Sequence, residues 1–302
     1  MRWLAEFIMR GRLQASVVAL LGNLVPLISP AAVALVVLRR NLADAALVLL
    51  WAALPVVLIM ALGDASPVVA ISSIIGLVTV LAAAQVLKVS ISWQYALLAM
   101  LAVASMATIA LGLAMPASLD ALLTELQQVL NSLRAESVGD SVPAFSVLMA
   151  VAAMGLGLEQ VSGTYVLGFL ALLTVVNVTA SLLLARWWQA LLYNPGGFRQ
   201  EFHRLRLDRA VAGVLMAGMI GCNLAPGDYL TWGGLLGVPI LLAGLGVVHG
   251  TVQILQLGTH WLVVLYVGLV FLLVPLSMAL IGLGFLDSFF DFRTRLAARG
   301  RR

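Results

Sequence analysis

Apolar runs of about 20 residues follow one another along this chain, and that is the length an α-helix needs to cross the hydrocarbon core of a bilayer. Residues 93–115 and 161–185 are two such runs. Inside lipid a backbone has to satisfy its own hydrogen bonds, which leaves only helices or closed barrels. No run alternates apolar and polar residues over roughly ten positions, as a barrel strand would. The expected fold class is therefore all-α, a polytopic transmembrane helix bundle. With 63% hydrophobic and only 10% charged residues, the 302-residue chain is not a water-facing globule.

The net charge of +4 does not point to nucleic acid. Basic residues occur in short clusters beside apolar runs, where they mark cytoplasmic loops and meet anionic lipid headgroups. A basic stripe interleaved with aromatics is missing from the sequence. Membrane lipids are the expected partners and nucleic acid is not. The single cysteine, Cys222, lies in an apolar run, so neither an intramolecular disulfide nor a cysteine metal cluster is available. The opening MRWLAEFIMRGRLQ has no cleavage pattern and is not read as a cleaved signal peptide.

The runs fall at 13–38, 42–62, 66–87, 93–115, 161–185, 210–225, 230–248 and 261–285. Pro26 and Pro30 interrupt the first, and proline breaks the helical ladder. As a single span, 13–38 would place Arg39, Arg40, Lys88 and the cluster from Arg186 to Arg209 opposite to cytoplasmic Arg2, Arg10 and Arg12. As a hairpin it returns all of them to the cytoplasm and leaves Arg134 outside, so the positive-inside bias favours the hairpin. This expectation makes the N-terminus cytoplasmic. Three further runs after Arg209 would leave the tail (Arg293, Arg295, Arg299, Arg301, Arg302) outside. Two repairs stay open: 261–285, which contains Pro275, is a second broken hairpin, or 210–225 does not span.

Between 116 and 143, Leu119, Leu122, Leu123, Leu126, Leu130 and Leu133 recur at helical spacing behind Ser118 as N-cap, with Asp120 in the first turn. They predict an amphipathic helix near 117–134 on the outer face, covering the bundle or acting as a lid. The organisation expected is a membrane core over 1–188, a basic cytoplasmic loop over 189–209, and additional helices with a basic tail over 210–302.

Catalytic signatures such as G-x-x-x-x-G-K-[ST], H-E-x-x-H and G-x-S-x-G do not occur. The G-x-G pairs Gly155/Gly157 and Gly244/Gly246 read as close helix packing. The three histidines are scattered, so neither a metal site nor a cofactor is expected, and the chain is not read as an enzyme. Polar residues at membrane depth are the functional candidates. They are Glu159 and Gln160, at a bend or the base of a pocket; Asn177, bonding a neighbouring helix or a ligand; Asp228, in a Pro-Gly turn; and His249. An intramembrane enzyme would need Glu159 joined with His249 or Asp228, and nothing in the sequence brings them together. Trp3, Trp51, Trp93, Trp187, Trp188, Trp232 and Trp261 fall mostly near run ends, as an aromatic belt does.

Three strings, WWQALLYNPGGFRQEFHRLRLD (187–208), GLGVVHG (244–250) and LGFLDSFFDFRTR (283–295), resemble recurring blocks of the YybS-like bacterial membrane proteins, a family of unknown function. That family is similar in expected fold to the substrate-binding S components of energy-coupling-factor transporters. The resemblance implies an S-component-like core and a separate ATPase or transmembrane coupling module as partner. It matches Arg39 and Arg40 to a double-basic cytoplasmic turn, and Ala15 and Ala19 to an A-x-x-x-A face for that partner. The chain departs from the S-component pattern in lacking a long loop in the first hairpin and in carrying further spans after 161–185. The leading expectation is a non-enzymatic small-molecule-binding or transport-associated subunit. The alternative is a scaffold that docks envelope-assembly proteins through Arg204, Arg206 and the tail.

Overall fold

The computed structural model describes residues 1–25, 27–63, 66–135, 144–155, 161–225 and 228–299, and the elements among them are helical. The first four helices are α1 (Arg2–Arg10), α2 (Arg12–Leu21), α3 (Ile28–Arg39) and α4 (Leu42–Leu62). At 1.5 Å per residue, the 10-residue α2 and the 12-residue α3 are roughly 15 and 18 Å long, about half of what a bilayer core requires. The chain nevertheless goes in and comes back on one side. Arg12, which opens α2, and Arg40, just past α3, reach the same Asp44 carboxylate at 2.6 and 3.8 Å, and Arg40 also donates to the Met9 carbonyl at 2.7 Å.

The expected hairpin is therefore present in its direction, but neither arm crosses. It is a re-entrant loop whose tip stops at half depth, where Asn23 Nδ2 donates to the carbonyl of Ala52, midway along the 21-residue α4. The same amide caps the Ala19 and Leu20 carbonyls at the end of α2. Replacing Asn23 with alanine is expected to cost about 2 kcal/mol and to speed amide exchange across 19–24, measured by hydrogen–deuterium exchange in detergent. Exchange unchanged there would mean that the tip is held by packing alone.

Because α3 is apolar on every side, it belongs at the centre of the bundle. Residues 31–37 are at most 1% exposed, enclosed by α2, α4, α5 (Pro67–Ser90) and the later α9 (Gly163–Tyr193). The antiparallel pair of α5 and α6 (Trp93–Ala114) completes this half, and Lys88 Nζ bonds the Arg40 carbonyl on the basic end. Ala15 and Ala19, expected to face a partner, are 2% and 0% exposed. Their small side chains are used inside the bundle, where they let α2 pack closely on α3 and α4.

The amphipathic helix forms as α7 (Pro116–Arg134), with Leu122, Leu126 and Leu130 buried. Its N-cap is Met115 and not Ser118: Pro116 takes the first helical position, where its missing N–H costs nothing, so Asp120 lies beyond the first turn. It packs on α8 (Ala144–Gly155), and Leu119 sits 3.6 Å from where a Cβ on Gly163 would lie, at the start of α9 (Gly163–Tyr193).

At 31 residues, α9 is roughly 46 Å long and outruns the bilayer. This corrects two expectations. Residues 189–209 are not simply a loop, since α9 continues to Tyr193 and, after a turn with Gly196 at φ 88°, α10 (Gly197–Arg204) follows. Trp188 (0% exposed) and Trp93 (7%) are core residues rather than belt residues, because α9 keeps packing past the expected end of its span. A bidentate Arg186–Glu201 pair at 2.9 and 2.6 Å folds α10 back on α9, and Arg39 stacks 3.7 Å over the Tyr193 ring.

Gln94 and Asp208 exchange two hydrogen bonds of 2.6 Å, fixing the start of α11 (Arg209–Leu224) to α6 at the basic end. At the far end Asn223 meets Gly233 in α12 (Leu230–Ile254), whose start is held there by Trp232 donating to the Thr164 carbonyl at 3.0 Å. Two helices remain before the tail, α13 (His260–Phe271) and α14 (Leu273–Phe290), followed by α15 (Phe292–Arg299). α14 runs in the same direction as α12, since Gly237 meets Ile281 in α14 and, farther along α12, Gly250 meets Arg293, just past the end of α14. Both helices therefore end on the basic side, and the chain between them must leave and return, turning at Leu272 three residues before Pro275. Of the two repairs left open by the sequence, the broken hairpin is the one adopted.

Among the described residues six helices, α4, α5, α6, α9, α12 and α14, are long and apolar enough to cross a membrane, and α10 with α11 is a further candidate bent by 67°. The chain is a multi-pass membrane protein of the all-α class.

Candidate functional site

Between α2 and α3, beside the middle of α4, regular α-helical backbone gives way, and such irregularity is tolerated only where it is buried in protein or lines a cavity. Here it lines one, of about 700 Å³, between the re-entrant tip, α4, α5 and α9. The walls are mainly aliphatic, with polar contributions from Asn23, Ser29, Ser72, Ser73, Thr174 and Asn177.

The tip is built by two local features. Gly22 lies where a Cβ would stand 2.9 Å from the Ser29 amide nitrogen, so glycine lets the two arms close on each other. Leu27 is held left-handed at φ 72°, which costs a non-glycine residue about 1–2 kcal/mol and persists only where the surroundings over-determine it.

The polar groups are not equivalent. Ser72 and Ser73 donate to the Val69 carbonyl at 2.7 and 3.3 Å, and the Asn23 amide is used on three carbonyls. Ser29 is 2% exposed and its Oγ has no hydrogen-bond partner. Asn177 is exposed, and its side chain bonds nothing among the described residues. The bond to a neighbouring helix, one of the two roles expected for Asn177, is not formed.

The helix ends add a direction. Asn23 neutralises the carbonyl end of α2, whereas the positive N-terminal end of α3 has no side-chain cap and no acidic residue in its first turn. Since the Ile28 N–H bonds the Val25 carbonyl and Pro30 has no N–H, what α3 turns toward the cavity is chiefly the positive end of its dipole.

The other expected site residues are distributed across the molecule. Glu159 and Gln160 lie outside the described residues. Asp228 is in the turn between α11 and α12 at the far end, whereas His249 is near the other end of α12, roughly 29 Å away by helical rise. The five residues expected to bind a ligand are therefore not one site, and Asp228 does not meet His249. His249 joins His203 and Tyr266 at the basic end.

Arg40 is committed to Asp44 and Met9, and Arg206 to Asp291 at 2.8 Å and the Ser288 carbonyl at 3.0 Å. Of the loop arginines expected to dock a partner, Arg204 stays exposed and Arg206 is an internal tie.

Ser29, Ser72, Ser73 and Asn23 were not singled out from sequence. The available signal was the break PLISP inside an apolar run, close to Gly22-Asn23, which marks irregular backbone where lipid forbids it unless a cavity is present. Among the described residues no group of three or more His, Cys, Asp or Glu side chains is arranged to hold a metal ion. No protein-family model matches the chain, and no curated protein or solved structure does either.

Proposed function

We propose that this membrane protein binds a small molecule in the cavity above the re-entrant tip, as a non-enzymatic, transport-associated subunit that works with a separate partner. The observation that carries this reading is the mainly aliphatic cavity with a few polar groups in its wall, where the buried Ser29 hydroxyl is unpartnered beside the uncapped start of α3. Polar groups at membrane depth are costly without a use. The volume falls in the range of small-molecule sites. Discontinuous helices whose N-termini point at an anionic or acceptor group are the means by which many transporters hold substrate near the midplane. The ligand favoured is a compact molecule that offers a hydrogen-bond acceptor or negative group to Ser29, Asn177 and α3 and an apolar body to the aliphatic walls. The sequence has no ATP-binding loop, so active transport would draw its energy from the partner. The positive-inside bias favours a cytoplasmic basic end, and the resemblance of 187–208, 244–250 and 283–295 to bacterial membrane proteins favours a bacterial inner membrane.

The test is native mass spectrometry of gently extracted protein beside a Ser29→Ala/Asn177→Leu variant. The wild type is expected to carry a stoichiometric small molecule that the variant holds at least tenfold more weakly, since each lost donor to a buried acceptor is worth about 1–3 kcal/mol. Identical contents in both, with phospholipid as the only bound species, would overturn the reading.

A further inference from the structure

A second cavity system lies on the basic end, in the angle formed by the last turns of α9, α10, the end of α12 and α13. Its two compartments, of about 460 and 580 Å³, share Arg199, His203 and His249 on a common rim. The first compartment is walled by aromatic and aliphatic groups such as Leu184, Trp187, Phe198 and Phe202; the second mixes Val252, Leu257 and Leu262 with the polar Gln253 and Thr259.

The rim is preformed. The His203 and His249 rings are 6.1 Å apart, Phe202 meets His249 edge-on at 5.2 Å, and His249 Nε2 lies 2.9 Å from the Tyr266 hydroxyl. His203 Nδ1 bonds Gln253 Oε1. Burial lowers the His203 pKa, with Arg199 and Arg293 adding to the fall and the Gln253 bond opposing it. His203 is therefore neutral near pH 7, and the fixed charge on the rim is that of Arg199. The Arg199 side chain is exposed and has no ion pair or hydrogen bond among the described residues.

An unpaired guanidinium over an apolar compartment, at the membrane end where the basic residues gather, is the complement of an amphipathic anion. Free phosphate would use the rim and leave the apolar compartment unfilled. The compartment also borders α13, none of whose residues is buried, so it adjoins the lipid.

We propose that this pocket holds one anionic phospholipid of the basic-side leaflet. Its phosphate sits on Arg199, with the Tyr266 hydroxyl and the His203 imidazole beside it, and an acyl chain lies in the compartment of Leu184, Trp187 and Phe202. The pocket is separate from the cavity above the re-entrant tip, and occupancy of one does not depend on the other.

The experiment is native mass spectrometry of the full chain, titrated with phosphatidylglycerol, phosphatidylcholine or inorganic phosphate. Arg199→Gln removes the exposed, unbonded charge, Ala190→Phe fills the apolar compartment, and Arg204→Gln removes an equal charge from the same helix away from the pocket. One phosphatidylglycerol is expected to be retained in preference to phosphatidylcholine. Arg199→Gln and Ala190→Phe are each expected to weaken retention about tenfold, with Arg204→Gln unchanged. Equal retention of both lipids, or Arg199→Gln matching Arg204→Gln, would overturn the site. Displacement by inorganic phosphate with Ala190→Phe binding normally would overturn the lipid in favour of a free anion. Because Arg199 is exposed and unbonded, its variant keeps the question decidable even if Ala190→Phe fails to fold.

Discussion

Replacing Arg293 with alanine is expected to lower stability by about 3–5 kcal/mol, read as a large fall in the thermal unfolding midpoint in detergent, because it leaves a buried carboxylate unpaired. Arg293 is 8% exposed and Asp287 1%. The guanidinium donates to Asp287 Oδ2 at 2.7 Å and also to the carbonyls of His203 at 2.6 Å and Leu205 at 3.0 Å. It thus ties α14 and α15 to the end of α10, while Asp287 Oδ1 accepts the Phe292 amide at 2.9 Å across the break between those two helices. Removing the arginine orphans Asp287 Oδ2 and the His203 and Leu205 carbonyls at once. Adding Asp287→Asn to Arg293→Ala is expected to recover part of the loss, since the neutral amide carries no charge to desolvate. Arg295→Ala, lying outside this network, serves as the control. Equal melting of Arg293→Ala and Arg295→Ala would show that the network contributes nothing to stability.

Gly244→Ala and Gly284→Ala are each expected to force α12 and α14 apart, at a cost of about 1–3 kcal/mol or more. A Cβ on Gly244 would collide with the Leu280 carbonyl, whose carbon lies at 2.8 Å. One on Gly284 would collide with the Ile240 carbonyl and stand 2.6 Å from the Gly244 amide nitrogen. The obstacles are backbone atoms, so no rotamer change relieves them. Gly282, two residues away on the same helix, has open space where its Cβ would be. Gly282→Ala should therefore be neutral or stabilising, given alanine's better helix propensity. Thermal unfolding of the three variants separates contact from propensity: a uniform effect would mean that the crossing is not as close as described.

The same pair of helices shows how far a sequence can be read. Gly244 and Gly246 were legible as close-packing residues because small side chains in an apolar helix have few other uses, but their opposite numbers were not, since nothing local links Gly244 to Leu280. Some runs were legible almost to the residue, as in α4 over Leu42–Leu62, because a bilayer imposes both length and apolarity on each helix separately, whereas the run expected over 161–185 continues as α9 to Tyr193. The direction of the first hairpin was legible through charge. Its depth was not, because α2 and α3 have the composition of a span and only their 10- and 12-residue lengths, set by the turn between them, make them re-entrant.

Of the ligand-binding candidates, Asn177 lines the cavity, whereas Asp228 and His249 went to opposite ends of α12. Burying a polar residue at depth is a local cost that one sequence position reveals. Which polar residues converge depends on how distant segments pack, and this information is shared among contacts no single segment contains.

By itself, then, the sequence determined that this chain is a bundle of membrane-crossing helices with its positive charge gathered on one side, since lipid and the positive-inside bias act on each segment independently. Only the tertiary structure decided that the first run stops halfway, that the tail returns to the basic end, and that Ser29, Ser72, Thr174 and Asn177 line one cavity. Those outcomes rest on long-range contacts, the Asn23–Ala52 bond and the Arg293 ties to His203 and Leu205 among them, that form only when the helices assemble.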